Sequence, residues 1–401
     1  MKKNSLQFLL SIIGVIIIAG IVILYLIPRI QHTANRSETI GSTIGFGEDA
    51  VKAEVLAIVE EGQVQLGEHA QTYQVLKIKI LEGEFAGQEL EIDYGRQQIR
   101  PEGLNLSEGN QIIISVGQDL AGNLHTFFMD FVRTGPLLWL FGTFVLFSVL
   151  VSGWKGVRGL LGMVISLSVI LWYIIPQILA GKNPVLISVT GAFFLLTISL
   201  YLIYGWTLKT HAAVLGTLLS LIVTAFLADY FVDLTRLTGF GSEDALFLVQ
   251  QSGVSINLRG LVLGGMLIGA LGVLDDLVIM QASLTFELHA LNPVMKFKEL
   301  FQRSMRVGQD HVAATVNTLV LAYAGAALPM LLLFSLGGEQ IDYLLNLEYV
   351  TEEIVRTFVG SLGLVAAVPI TTLLASLVAL NHQRLGKLRP FFGPITLEEG
   401  R

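Results

Sequence analysis

The sequence predicts an α-helical polytopic membrane protein of about eight transmembrane helices, carrying an inserted extracytoplasmic small β-barrel (OB-like) domain. Three observations lead there. Of the 401 residues, 53% are hydrophobic and only 14% charged, with mean hydropathy +0.68, whereas soluble domains carry roughly 25% charged residues. Several apolar runs approach the roughly 20 residues that a helix needs to cross a hydrocarbon core about 30 Å thick. After the first of these, residues 51–134 change to short alternating stretches, the pattern of half-buried strands. Cysteine is absent, which excludes disulfides, thiolate catalysis and cysteine-bound zinc or iron–sulfur clusters. The net charge of -7 is concentrated in particular loops, so its average says little; no nucleic-acid partner is expected.

The elements follow in order. Residues 1–30 hold an apolar run from Leu6 to Ile27 behind Lys2 and Lys3. The run exceeds the length of a signal-peptide core and lacks a small-residue cleavage site, so it reads as an uncleaved anchor. Residues 31–50 are polar and read as a linker. Within 51–134 the predicted strands are Val51 to Val59, Tyr73 to Leu81, Glu89 to Tyr94, Gln111 to Val116 and His125 to Phe131. Breakers separate them at Glu61-Gly62, Glu82-Gly83, Pro101-Glu102-Gly103, Glu108-Gly109 and Ala121-Gly122-Asn123. Five short strands suit a small barrel that closes its own edges.

Residues 135–381 read as a seven-helix bundle. Its predicted spans are Leu137 to Val151, Leu160 to Ile178, Val185 to Ile203, Ala212 to Leu227, Leu261 to Met280, Val312 to Phe334 and Phe358 to Leu380. With the anchor these make eight, which puts both termini, including the tail 382–401, on one side. Basic residues stay cytoplasmic, and threading the spans places Lys155, Arg158, Lys209, Lys296, Lys298, Arg303, Arg306, Arg384, Lys387 and Arg389 inside. Asp229, Asp233, Glu243, Asp244, Glu339, Asp342, Glu348, Glu352 and Glu353 fall outside. Lys182, Arg236, Arg259 and Arg356 are the exceptions. Gly153-Trp154 and Gly205-Trp206 end two spans at the same inner interface, where aromatic residues gather. A duplicated hairpin would share that order, although its spacing slips by two residues. Pro176, Pro329 and Pro369 lie in or near spans; each removes an N–H, and the stretch from Ala322 to Pro329 reads either as an ordinary kink or as a broken helix.

The polar residues inside these spans carry whatever chemistry the bundle performs. Gly265, Gly269 and Gly272 fall on one stripe of the sixth span, the spacing of close helix packing. Asp275 and Asp276 follow about 20 Å along that helix, where a carboxylate costs about 2.5 to 3.5 kcal/mol and calls for a partner, an ion or water. Snorkelling to the inner interface is the plainer alternative. Asp276, Ser283 and Glu287 share a face, as do Asp310 and Asn317 on the seventh helix, beside His311, Thr315 and Thr318. Carboxylate, amide and hydroxyl oxygens together suit a proton or a hard cation. Asp276 is then the group that titrates or binds the cation, Glu287 and Asp310 its cytoplasmic approach, and Asn317 with Thr318 the neutral ligands. No metal is assigned.

From Gly269 to Pro329 the chain resembles the YibE/F-like family of bacterial multi-pass membrane proteins. The resemblance rests on Gly269-Ala270-Leu271-Gly272 followed by Asp276, then Gln281-Ala282-Ser283, Glu287-Leu288, Asn292-Pro293, Glu299-Leu300, Met305-Arg306-Val307-Gly308, Asp310-His311, Asn317-Thr318-Leu319 and Leu321-Ala322-Tyr323-Ala324-Gly325. Asp130-Phe131-Val132-Arg133, Trp154-Lys155-Gly156-Val157-Arg158-Gly159, Ile175-Pro176 and Lys209-Thr210 are similar too. The resemblance implies a plan of anchor, extracytoplasmic domain and bundle in a bacterial plasma membrane. Gln309 stands where the family's run has Arg, so an ion pair made there is not carried over.

These features predict a transporter or permease without enzymatic activity or cofactor, working in a lipid bilayer on a proton, cation or small solute. No nucleotide-binding loop is present, so coupling would use an ion gradient or a separate partner. One rival reading is an envelope assembly or sensing protein whose β domain binds an envelope protein or a second copy. A remote one is an intramembrane aspartyl hydrolase using Asp276 and Asp310, since two carboxylates can share a proton and activate water.

Overall fold

A computed structural model describes residues 50–383 apart from 67–68, 97–99, 101–102, 119–123, 253–254 and 338–340, together with 394. The predicted anchor, nearly all of the linker and most of the tail lie outside the described residues. The chain divides between Val151 and Ser152 into two compact units.

The first unit holds one antiparallel sheet of β1 (Ala50–Leu66), β2 (His69–Ile80), β3 (Glu89–Tyr94), β4 (Gln111–Gln118) and β5 (Leu124–Phe131), in the order β3-β2-β1-β4-β5. All five predicted strands are present. Alternation decides their faces: Ala53 and Val55, Leu76, Ile78 and Ile80, Ile92 and Tyr94, and Ile112, Ile114 and Val116 point to one buried side. Gln74 is buried too, and its amide clasps the β3–β4 connection by donating to Leu106 O (3.2 Å) and accepting from Leu106 N (2.9 Å). Of the expected barrel the hydrogen-bonded ladder forms a half-barrel, with β3 and β5 as the two ends of its order. These ends still approach each other, where Thr126 Oγ1 donates to Glu91 O at 3.2 Å. A break expected at Glu61-Gly62 is also absent. β1 runs through it because Gly62 pairs with Tyr73, whose ring occupies the space a side chain would need. Tyr73 Oη in turn donates to Glu60 at 2.5 Å, and this bond, with Arg96 at 2.9 Å, holds the exposed Glu60 carboxyl below its ordinary range.

The helices are α1 (Thr134–Val169), which passes through a π turn at Ile170–Ile174 into α2 (Ile175–Leu179), then α3 (Pro184–Tyr204), α4 (Leu208–Leu234), α5 (Glu243–Ser252), α6 (Leu258–Leu291), α7 (Phe297–Ala326), α8 (Leu328–Gly337), α9 (Ile341–Leu345) and α10 (Glu348–Asn381). Among the described residues five helices are long and apolar enough to cross a membrane, or six if the bent pair α7–α8 makes one span. Where seven of the eight expected spans fall on described residues, the structure thus gives five or six candidates. One of the eight lies outside the described residues, and Leu137 to Val151 and Leu160 to Ile178 fall in a single helical run, Thr134–Leu179. The polar stretch between them stays helical except at Gly153 (φ 55°, ψ −132°), a conformation that favours glycine. Gly205 likewise ends α3 at φ 77°, so each Gly-Trp pair marks a backbone break.

Helix starts follow from capping. Asn183 accepts from Val185 N and Leu186 N, Thr207 from Thr210 N and Asn257 from Gly260 N, satisfying donors that a helix N-terminus leaves unpaired. The capped α4 and α6 thus begin before the apolar runs that betray them. Of the three prolines, Pro176 follows the π turn, Pro369 lies inside a continuous α10, and Pro329 follows a 63° bend between α7 and α8. The core of the second unit is built by α3, α4, α6 and α10, with Leu274, Ala282, Leu364, Ala367 and Ala375 fully enclosed.

Candidate functional site

Small residues set the geometry in which the polar groups sit. A Cβ at Gly264 would lie 2.3 Å from Ser188 Oγ, at Gly216 2.6 Å from Thr371 Oγ1, at Gly308 2.5 Å from Val368 Cγ1, and at Gly363 within clashing range of Thr224 Oγ1. Each glycine therefore admits a side chain from a neighbouring helix. Contacts of Gln281 with Thr372 and of Gly265 with Arg356 have one common offset, so α6 and α10 run parallel. Gln281 meets Ser304 while Gly269 faces Tyr323, so α7 runs antiparallel to α6.

The stripe Gly265, Gly269 and Gly272 does not make such contacts. All three are exposed: Gly265 and Gly269 meet only the ends of Arg356 and Tyr323, at 3.6 and 3.9 Å from a Cβ, and Gly272 meets open space. Helical spacing predicts that the three share a face, and they do; it does not say what the face meets. The tightly packed glycine of α6 is Gly264, one position away.

The acidic pair sits near the middle of the 34-residue α6, about 25 Å from either end at a rise of about 1.5 Å per residue. Its two members diverge. Asp275 is half-buried and its Oδ1 is enclosed, with no hydrogen-bond partner among the described residues. Asp276 is exposed, on the same face as the glycine stripe. Tyr204, at the end of α3, lies within electrostatic range of both carboxyls. An unpaired buried acceptor costs about 1–3 kcal/mol, and more when it is charged, so Asp275 Oδ1 calls for a proton, a cation or a donor.

The other expected residues are placed as follows. Glu287 is exposed beyond Asp276 on α6, and Asp310, Asn317 and Thr318 are exposed on α7, whose buried residues are Leu300, Ser304 and Gly308. The α6–α7 register puts Asn317 between the levels of Gln281 and Gly269, close to that of Asp276. Asp276, Glu287, Asp310, Asn317 and Thr318 thus border the surface of the helical unit and form no enclosed cluster. Thr318 Oγ1 and Thr315 Oγ1 donate to their own helix, at Ala314 O and His311 O. Among the described residues no three His, Asp or Glu side chains stand close enough to hold a metal ion.

The residues that sequence reasoning passed over are neutral. Gln281 is wholly buried and donates to Ser304 O (3.0 Å) and Thr372 Oγ1 (2.7 Å), tying α6 to α7 and α10. In the sequence it stood only within the Gln281-Ala282-Ser283 motif of the family resemblance, with nothing to mark its partners.

Charges segregate by end. Arg259 pairs with Asp229 (3.7 Å) and Asp233 (3.1 Å), and Arg356 bonds Glu352 and Glu353 of its own helix. Glu348 accepts from Thr238 and from Gly239 N (2.7 Å). Two of the basic residues that broke the charge pattern are therefore matched by carboxylates at the same end. Lys209, Lys296, Lys298, Arg303 and Arg306 cluster at the opposite end.

A family model described as YibE/F-like protein matches residues 140–381. No curated protein and no solved structure matches the chain.

Proposed function

The chain belongs to the YibE/F-like family, and from the acidic pair of α6 we propose that its helical unit carries a proton or a small cation through a membrane. The observation that carries this reading is Asp275 Oδ1, enclosed and unpartnered near the middle of an apolar span. A carboxylate at such depth is costly to insert, and residues of this kind mark ion and proton paths in membrane bundles. Asp229 and Asp233 pair with Arg259, Glu352 and Glu353 with Arg356, and Glu299 with Arg303; among the described residues no ion pair is made by Asp275.

In this reading Asp275 takes up the cation or proton. Asp276 opens onto the face bared by Gly265, Gly269 and Gly272, which carry no side chain to obstruct it. Asn317 and Thr318 add neutral oxygens at a similar level, and Glu287 and Asp310 lie toward the basic end as an approach. Basic loops face the cytoplasm, so Lys209, Lys296, Lys298, Arg303 and Arg306 mark the inner side of a bacterial plasma membrane. The acidic end and the sheet unit are then extracytoplasmic. The order β3-β2-β1-β4-β5, with β3 and β5 brought together at Thr126, supports an OB-like closure of that sheet.

The test is ion flux in vesicles reconstituted with the full chain. We expect uptake driven by a proton or cation gradient, reduced at least about tenfold by Asp275→Asn, the loss usual when a catalytic or coupling group is removed at a cost of about 1.4 kcal/mol or more. Asp276→Asn should weaken it less. Absence of flux under every gradient, or an Asp275→Asn variant as active as the parent, removes the proposal.

A further inference from the structure

A cleft at the acidic end of the helical unit lies apart from the acidic pair of α6. It holds about 390 Å³ and is lined by Phe226, Asp229, Tyr230, Asp233 and Leu234 of α4 and by Arg259 of α6. The five α4 residues stand at i, i+3, i+4, i+7 and i+8, one face of the last turns of a helix that ends at Leu234. Arg259 is the second residue of α6, so the end of one helix meets the start of the other.

Charge here is not arranged for the helices themselves. A helix C-terminus favours cations and an N-terminus favours anions, yet the last turn of α4 has no basic residue and the first turn of α6 no acidic one. Asp229 and Asp233 stand instead near the negative end of α4 and Arg259 at the positive end of α6, and they face one another. Arg259 Nη1 is 3.1 Å from Asp233 Oδ1, and Nη2 is 3.7 Å from Asp229 Oδ1. The second contact exceeds hydrogen-bond length, so Asp229 is neutralised only loosely. Two carboxylates against one guanidinium leave the cleft one net negative charge, and the unpaired carbonyls that end α4 add to it. A cation answers that surplus. Arg259, with five N–H donors, keeps donors for an anionic group beside it.

The rest of the lining is apolar and faces outward. Phe226 is 71% exposed, Leu234 61% and Tyr230 54%, on a helix long and apolar enough to cross a membrane. At the end of a span such side chains lie against the upper acyl chains, with aromatic rings at the headgroup level. Asp233 and Arg259, nearer the helix ends, then lie among the headgroups. The lining therefore matches one molecule that carries a cation, an anion and a hydrocarbon chain, which is a zwitterionic phospholipid. Between two carboxylates its cation needs N–H donors, which a primary ammonium has and a quaternary one lacks.

We propose that this cleft holds the headgroup of a phosphoethanolamine lipid, with its ammonium on Asp229 and Asp233, its phosphate on Arg259 and its acyl chains over Phe226 and Leu234. The site requires binding and not movement, so it stands independently of the transport reading. Thermal unfolding of the purified full-length protein in detergent, followed by its tryptophan fluorescence, tests it with added phosphatidylethanolamine, phosphatidylcholine and phosphatidylglycerol of identical acyl chains. A ligand that binds only the folded state raises the midpoint with concentration; we expect phosphatidylethanolamine to raise it by about 3 °C or more, and the other two by clearly less. Asp229→Asn combined with Asp233→Asn removes two exposed carboxylates and leaves Arg259, which turns the net charge positive; the preference should then pass to the anionic phosphatidylglycerol. Equal shifts from the three lipids, the outcome for acyl chains that merely cover an apolar surface, overturn the proposal. A phosphatidylcholine response matching that of phosphatidylethanolamine overturns it too, as does a double variant that keeps the parent's preference. An equal shift from water-soluble glycerophosphoethanolamine would make the occupant a solute and not a lipid. If the double variant fails to fold, the ranking of the lipids by the parent protein still decides.

Discussion

At the scale of single residues, the presence or absence of one methyl group separates positions that look alike in the sequence. Gly363 and Gly272 both sit inside long apolar helices, yet a Cβ at Gly363 would run into Thr224 Oγ1 while one at Gly272 meets nothing. Gly363→Ala should therefore destabilise by about 1–3 kcal/mol, the range of overpacking. Gly272→Ala should be neutral or stabilising by up to about 1 kcal/mol, since alanine is the better helix former. Thermal unfolding of the two variants side by side checks this, and equal effects would contradict it. Asp275 and Asp276 were legible as costly residues at depth, because the price of a charge in hydrocarbon depends on position along the chain. Which of them turns inward was not, since that depends on the rotation of α6 against α3 and α10. Gln281 was hidden for a related reason. Its partner Thr372 lies 91 positions away, and no periodicity within one helix reports a bond between two.

At the scale of elements, strand alternation and apolar runs are local signals: all five strands formed where those signals put them, and the apolar runs became helices, although two expected spans share the run Thr134–Leu179 and another is bent between α7 and α8. The errors fell where tertiary contacts override local chemistry. Gly62 was read as a break, but Tyr73 covers it from the neighbouring strand and the ladder continues. The same Tyr73 contact gives the sheet a response to acid. Glu60 is held below its ordinary range first by Tyr73 and then by Arg96, as Glu89 is by Lys77 and Asp130 by Arg133. A carboxyl depressed in the folded state contributes stability above its unfolded value and loses it as pH falls through the folded one. The sheet should therefore weaken below about pH 4, the ordinary carboxylate range, and only modestly because these pairs are exposed. Glu60→Gln should flatten part of that slope when strand amide exchange is followed against pH; an unchanged slope would show that the Tyr73 bond contributes nothing.

At the scale of the whole molecule, the separation of basic and acidic ends makes a topological prediction that the composition makes easy to test. The chain has no cysteine, so a single introduced thiol has no background. Asp342→Cys should react with a membrane-impermeant maleimide added to intact cells, and Lys298→Cys only after permeabilisation; the reverse pattern would invert the bundle. Arg259 and Arg356, which seemed to spoil the charge asymmetry, support it once their carboxylate neighbours are seen. The close fits at Gly216, Gly308 and Gly363 have one more consequence. With hydroxyls and valine methyls of neighbouring helices lodged over bare Cα atoms, a slide of even one residue along the axis would bring a Cβ into each of those spaces. The contacts at Gly216 and Gly363 accordingly hold α4 and α10 in one register, and the contact at Gly308 fastens the first half of α7 to α10.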